Sequence, residues 1–447
     1  MPSSFIERPR YLCSLGGAMG TVTALPATIP ILHAAAGCAG NITWTQNGGS
    51  GLQVGGYCGG LSVPSSNVRE REVVFGGEDR LREEITNTLQ VMDGDLYIVI
   101  TGCVTEIIGD DVRAVVNDFR SEGVNIVAAE TGGFRGNSYY GYDLVLQALI
   151  RDFVRRDVPT VANQVNLWGI PPYLDPFWRG NLEGVRGLLQ LLGLEVNSFF
   201  TQDDSLAGIN EASGAALNIV VSDIFGAEAA QVFKEVHGTP YLLTPLPIGP
   251  TASDTFLRAV GQALGRSEVE LDALIANENH RYYQYFEPLV ECFTDLDLQR
   301  YAAVVGDANY GVALTRFLAD DLGWLPEFVA ITDQLSEEQE TTLQVRFEGF
   351  TSGLSPHLVF ETDSSEVIRH FNAYWTPSHG ERYYHAFSPA FVIGSSLDRD
   401  FATSLGAGHL SVSFPVTNRA VIDRGYTGYR GGLRLVEDLI SAIVANR

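Results

Sequence analysis

The chain has 447 residues, too many for a single hydrophobic core, so several domains are expected. With 45% hydrophobic and 19% charged residues it has the composition of a globular protein, and 29 basic against 54 acidic residues give a formal net charge of -25. That charge excludes general affinity for nucleic acid or anionic membrane, because like charges repel. No apolar run reaches the length of a membrane span and Met1–Arg10 lacks the apolar centre of a signal peptide, so a cytoplasmic location is expected.

In chain order, the first informative residues are cysteines. Cys13 precedes Gly16-Gly17, and Cys38 lies within Gly37-Cys38-Ala39-Gly40. A Gly-rich stretch, Asn47–Gly60, follows with Cys58 inside it and reads as a loop. Leu96–Thr101 is a short apolar run that predicts a buried strand, and Cys103 stands just beyond its end. Ligands in open α/β sheets collect at that end of a strand. Glycine beside a thiolate lets backbone approach a bulky inorganic cluster and aim N–H groups at its sulfurs. Three such sites suggest an iron–sulfur cluster completed by another chain. The ordinary alternative is that each cysteine is a small buried hydrophobe. Five cysteines, an odd number at low density, argue against a disulfide framework.

A helix is predicted from Asp110 to Glu122, with Val112, Val115, Val116 and Phe119 on one face, and a strand returns at Asn125–Ala129. The alternation repeats: strand Leu217–Val221, helix Ala227–His237 stopped by Gly238, strand Tyr241–Thr244. Cys292 falls in a helical stretch and reads as structural. Ala302–Val305 leads through Gly306-Asp307 to a helix at Tyr310–Leu322 and a strand at Phe328–Thr332. Further strands are expected at Leu358–Glu361, Phe391–Ile393 and Leu410–Phe414, then a closing helix over Leu433–Ala445. Strand–helix–strand units make parallel sheets. The expected fold is α/β, with three Rossmann-like domains at residues 1–157, 158–292 and 293–447, the first carrying the cysteines.

The string Thr101-Gly102-Cys103-Val104-Thr105-Glu106-Ile107-Ile108-Gly109-Asp110-Asp111 closely resembles the T-C-x-x-E-x-I-G-D-D segment of nitrogenase component 1 proteins. Val74-Phe75-Gly76-Gly77 and Gly133-Phe134-Arg135-Gly136 also look like that family. Phe391–Ser396, Phe414-Pro415-Val416 and Gly425–Tyr429 are similar to the closing part of its β (K-type) subunit. The resemblance implies an α2β2 assembly with a D-type α subunit and an eight-iron P-cluster at each α–β boundary. It matches Cys13, Cys38 and Cys103 to the three β-side ligands. It further implies that an ATP-hydrolysing iron protein delivers electrons, which pass to a catalytic iron–sulfur cofactor in the α subunit. No catalytic residue is expected in this chain.

Three departures are visible. Gly133 stands where the family's β subunit carries a serine that can ligate oxidised iron, the first ligand comes as early as Cys13, and the Gly-rich stretch with Cys58 is unusual. They point to a compact nitrogenase-like reductase, of which methylthio-alkane reductase, acting on C–S bonds, is the first candidate. The alternatives are a β subunit of an N2-fixing nitrogenase and a cofactor-maturation scaffold. The intact cysteine trio favours a reductase over a scaffold. A dinucleotide-binding enzyme is disfavoured, since no G-x-G-x-x-G joins a strand to a helix.

Overall fold

The computed structural model describes residues 6–53, 62–295, 300–375 and 391–445. Three parallel sheets succeed one another along the chain. The first has β1 (Thr28–His33), β2 (Leu96–Thr101) and β3 (Ile126–Ala129) in the order β1-β2-β3. The second comprises β4 (Val161–Trp168), β5 (Glu195–Asn197), β6 (Ala215–Val220) and β7 (Tyr241–Leu243), ordered β5-β4-β6-β7. The third comprises β8 (Tyr301–Gly306), β9 (Leu325–Ile331), β10 (His357–Phe360), β11 (Phe391–Gly394) and β12 (Gly408–Ser411), ordered β10-β9-β8-β11-β12. Every residue of β2 is buried, which is why it reads as an unbroken apolar run: a parallel strand covered on both faces has no solvent side to mark. Among the described residues no helix is long and apolar enough to cross a membrane.

Among the described residues seven helices accompany the first sheet: α1 (Ser14–Ala24), α2 (Ala36–Gly49), α3 (Glu70–Phe75), α4 (Glu78–Val91), α5 (Cys103–Ile108), α6 (Val112–Ser121) and α7 (Ser138–Asp152). On one face Leu81 and Ile85 of α4 and Val112, Val115 and Val116 of α6 pack over Ile31, Val99 and Ile126. Phe119 joins that cluster half-buried, so the predicted apolar face of α6 is the one used. On the other face α1 crosses α7 at backbone contact. A Cβ on Gly17 would sit 1.6 Å from the Ser138 carbonyl oxygen, and one on Gly141 would sit 1.9 Å from that of Ser14. Gly17 therefore serves a helix crossing. A Cβ on Gly37 or Gly40 would meet nothing within 4 Å, so these flank Cys38 on an open surface. Of the glycines near the cysteines, Gly17 is thus accounted for by helix packing, while Gly37 and Gly40 leave open space beside Cys38.

The Gly-rich stretch also differs from expectation. Asn47, Gly48 and Gly49 close α2, while Cys58 lies outside the described residues. In the second sheet the helix Ala227–His237 ends at Gly238 with φ +79, as its sequence predicts. In the third, Asp307 caps a helix at Ala308–Arg316 that runs on as π-turns over Phe317–Asp321. The closing helix begins at Gly428, five residues before the predicted Leu433. Gly431 and Gly432 hide its start, yet a Cβ on either would collide with Tyr426 or Gly249 backbone. From β8 the chain builds outward through β9 and β10, then crosses back to β11 and β12. The carboxyl ends of β8 and β11 therefore bound a topological switch point.

Candidate metal centre

The cysteines gather at the carboxyl edge of the first sheet. β1 ends at His33 and β2 at Thr101, directly opposite each other. Beyond β1 the chain turns into α2, whose third residue is Cys38. Beyond β2 comes Gly102, then Cys103 as the first residue of α5. Beyond β3, residues Gly133–Arg135 form a 3-10 turn. Cys13 arrives from outside the sheet, as the residue capping α1, bridged antiparallel to Asn137 while Ser14 N–H donates to the Gly136 carbonyl at 2.9 Å. All three sulfurs thus belong to the first turn of a helix, where free N–H groups favour negative charge.

Gly133 sits among them. Its N–H donates to Cys103 Sγ at 3.1 Å. A Cβ there would lie 3.1 Å from Cys103 Sγ and 3.4 Å from Cys13 Sγ. The Cys38 thiol is pushed up first by burial and then by the neighbouring Cys13 and Cys103, which places it in their electrostatic reach. Among the described residues no three His, Cys, Asp or Glu groups converge on one metal ion. Three thiolates on separate elements, two exposed and one half-buried, fit instead a multi-iron cluster in which each sulfur binds its own iron. A larger cluster held from one side needs further ligands from another chain.

The surrounding residues hold this edge rigid. Glu106 accepts from Thr101 Oγ1 at 2.5 Å, Gly132 N–H at 2.6 Å and Arg135 Nε at 2.7 Å, tying the Gly133 turn to α5. Thr131 and Thr101 exchange hydrogen bonds, and Ser14 Oγ donates to the carbonyls of Thr131 and Gly132. Gly109, at φ +81, ends α5, and Asp111 caps α6 through Ala114 N–H. Asp110 meets His33 Nε2 at 3.0 Å and accepts Gly77 N–H at 2.8 Å, while His33 Nδ1 faces Ser66 Oγ at 2.9 Å. Burial, more than any neighbour, pushes the His33 imidazole down, and the pair is closed to solvent. His33 and Ser66 were not legible as site residues, because nothing in a 77-residue separation joins His33 to Asp110.

The remaining candidates lie apart from this chemistry. Cys292 is half-buried in a short helix, Val290–Asp295. After β6, Ser222 Oγ accepts from Ile224 and Phe225 N–H, and Asp223 pairs with both arms of Arg346 at 2.9 and 2.7 Å. His409 Nε2 lies 2.9 Å from the Ser395 carbonyl, its imidazole pushed down first by burial. A cleft of about 410 Å³ opens where the turns after β3, β6 and β9 meet, lined by Phe134, Tyr140, Phe225 and Gln334 among others, with no cysteine or histidine in its wall.

Several large apolar side chains are exposed on the elements that follow the strands of the first sheet or pack against them. Val74 is 71% exposed, Phe75 83%, Ile107 72% and Phe134 60%. The first two end α3, Ile107 lies on α5 with Cys103, and Phe134 follows Gly133. Such exposure marks an interaction surface.

A three-sheet α/β chain that brings three thiols to one open sheet edge has the donor chemistry to hold an iron–sulfur cluster. The chain belongs to the nitrogenase component 1 type oxidoreductase family, whose family model matches residues 13–444, and within it is of the β type. The nitrogenase iron-iron protein beta chain of Rhodobacter capsulatus is 21% identical over 467 residues, covering 98% of this chain and 94% of that one. The vanadium-iron protein beta chain of Trichormus variabilis is 23% identical, over 70% of this chain and 75% of its own length. The cofactor biosynthesis protein NifE of Methanococcus maripaludis is 25% identical over 58% of this chain and 52% of its own. The solved structure of nitrogenase Cp1 at pH 6.5 superposes with a TM-score of 0.81 at 16% identity, covering 100% of this chain and 94% of that one.

Proposed function

We propose that this chain is the β (K-type) subunit of a nitrogenase-like, ATP-dependent reductase working in the cytoplasm. Cys13, Cys38 and Cys103 supply half the ligands of an eight-iron P-type cluster. A D-type α subunit in an α2β2 assembly supplies the other half. When bound, such a cluster carries electrons between an ATP-hydrolysing iron protein and the catalytic cofactor of the α subunit. This chain's residues hold and orient the sulfurs, hydrogen-bond Cys103 through Gly133, and present an apolar collar to the partner. No side chain here is assigned a catalytic role.

The observation that carries the reading is the convergence of Gly133 on both Cys13 and Cys103, with Cys38 close enough to feel their charge. The test is iron content of the complex co-expressed with its α partner. Cys13→Ala, Cys38→Ala and Cys103→Ala should each lower iron, and unchanged iron in all three would sink the assignment.

For the substrate we infer C–S bond reduction, as in methylthio-alkane reductase, supported by glycine at position 133 in place of the serine of the N2-fixing β subunit. The nitrogenase beta chains among the relatives favour N2 reduction as the second reading, and the NifE relatives favour a maturation scaffold. The assembled complex, supplied with iron protein and ATP, separates them. Thiol release from a methylthio-alkane supports the first reading, ammonia from N2 the second, and neither product the scaffold.

A further inference from the structure

The N-terminal segment crosses the carboxyl edge of the third sheet before it reaches the thiols. Glu7 N–H donates to Asp363 Oδ2 at 2.6 Å, and Ser364 donates through both N–H and Oγ to the Arg8 carbonyl. Arg10 then enters the switch-point crevice beside β11. Its Nη1 and Nη2 each reach a carboxylate oxygen of Asp398 at 2.6 Å, Nη1 also meets Ser395 Oγ at 3.1 Å, and Nε donates to Ser364 Oγ at 2.8 Å. The two side chains are 3% and 4% exposed. In an open α/β sheet this crevice is where a ligand binds. Here the chain sets its own guanidinium against the turns that follow β11 and β10.

Two residues later Leu12 N–H donates to Ser138 Oγ at 3.1 Å, and Cys13 is bridged to Asn137. Arg10 to Cys13 spans three residues, at most about 11 Å of extended chain. The segment is therefore a short tether, fixed at one end in the third sheet and at the other on α7 of the first, with Cys13 at its end. A planar, bidentate pair fixes direction as well as distance, which a lysine cannot do.

We propose that Arg10 is a positioning residue for the Cys13 thiolate, acting through its buried pair with Asp398. The inference rests on the reading of Cys13 as a cluster ligand. Neither residue is among the cysteines that would hold the cluster. Their effect is on where the sulfur stands, and hence on the electronic state of the iron it binds.

The test uses the cluster-loaded complex with its α partner, read by EPR spectrum and cluster midpoint potential at equal iron content. Arg10→Gln and Asp398→Asn should each shift spectrum and potential, in the same direction, and Arg10→Lys should restore only part of the wild-type signal. Single changes leave a buried charge unpaired, so the neutral pair Arg10→Met with Asp398→Leu guards against simple misfolding. Should the Gln, Asn and neutral-pair variants all fail to fold, Arg10→Lys, which keeps the charge, decides alone. Wild-type spectrum and potential in the folded variants would overturn the inference. Cys13→Ala separates the two claims: unchanged iron there overturns the ligand assignment itself, whereas iron loss there with unmoved Arg10 variants overturns only the tether.

Discussion

The backbone N–H of Gly133 points at the Cys103 sulfur from 3.1 Å, and its missing side chain leaves the gap between that sulfur and Cys13 open. Hydrogen bonds to cluster sulfurs are one of the means by which a protein sets reduction potential. The turn that carries this N–H is held by Glu106 through Gly132 and Arg135, so the donor is fixed before any metal arrives.

Gly133→Ser should fold. Gly133 lies in a 3-10 turn and is not among the glycines with positive φ, so the backbone accepts a side chain. Contacts of 3.1 Å must relax by a few tenths of an ångström, a cost of about 1 kcal/mol. The added hydroxyl would then stand beside both thiolates as an oxygen donor for oxidised iron. Ser138 is no substitute, being buried and already bonded to Leu12 N–H. We expect the oxidised-state spectrum to shift in Gly133→Ser and the reduced-state spectrum to stay close to wild type. An unmoved oxidised spectrum in an iron-replete variant would refute the idea.

Cys58→Ser should leave the cluster spectrum and iron content at wild-type levels, because the proposed ligand set on this chain is Cys13, Cys38 and Cys103. Loss of the cluster signal in Cys58→Ser would mean that the ligand set on this side has a fourth sulfur.

The collar of Val74, Phe75, Ile107 and Phe134 predicts the assembly behaviour. Expressed alone, the chain should self-associate, since four large apolar side chains exposed on α3, α5 and the turn after β3 are unfavourable in water. Phe75→Asp with Phe134→Asp should leave the thermal melt within about 0.5 kcal/mol of wild type, as both side chains are exposed. The same pair should weaken association with the α partner by tenfold or more, by burying two charges without partners. Thermal melting of the variant measures the first effect and sedimentation of the mixed subunits the second. Undiminished α2β2 formation by the double variant would place the interface elsewhere.

What the sequence made legible follows from local physics. β2 and the helix Ala227–His237 were readable because burial on both faces gives a continuous apolar run and a glycine with positive φ marks a helix end. The string around Cys103 was readable because nearly every residue in it has a fixed task, from the Thr101 hydroxyl to the Asp111 cap. α1 and α2 were not readable. Their glycines, with Thr21, Val22 and Thr23 in α1, lower helix propensity, and only the crossing with α7 explains why α1 tolerates Gly17. The Arg10–Asp398 and His33–Asp110 pairs were hidden for another reason. Each joins residues far apart in the chain, and no periodicity encodes that.

Asp175 supplies a pH signature for the junction between the second and third sheets. Its carboxylate accepts from Phe177 N–H at 2.8 Å, Asn181 Nδ2 at 2.7 Å and Tyr310 OH at 2.8 Å, yet burial pushes it up to about 7. A carboxyl whose pKa is higher folded than unfolded holds a proton that the unfolded chain has already lost. Its contribution to stability is therefore full below about pH 4 and disappears as pH rises through about 7. Asp307 and Asp333 are pushed up as well, so the wild-type curve mixes several groups. Asp175→Asn isolates one. It stays neutral at every pH and loses an acceptor opposite Asn181 Nδ2, so it should be less stable than wild type at pH 5. That deficit should shrink by up to about 1.4 kcal/mol per pH unit on the way to pH 8. Urea denaturation at pH 5, 6, 7 and 8 reads the difference directly. Parallel stability profiles for wild type and Asp175→Asn would show that Asp175 is ionised in the folded protein throughout, with its three donors outweighing the cost of burial.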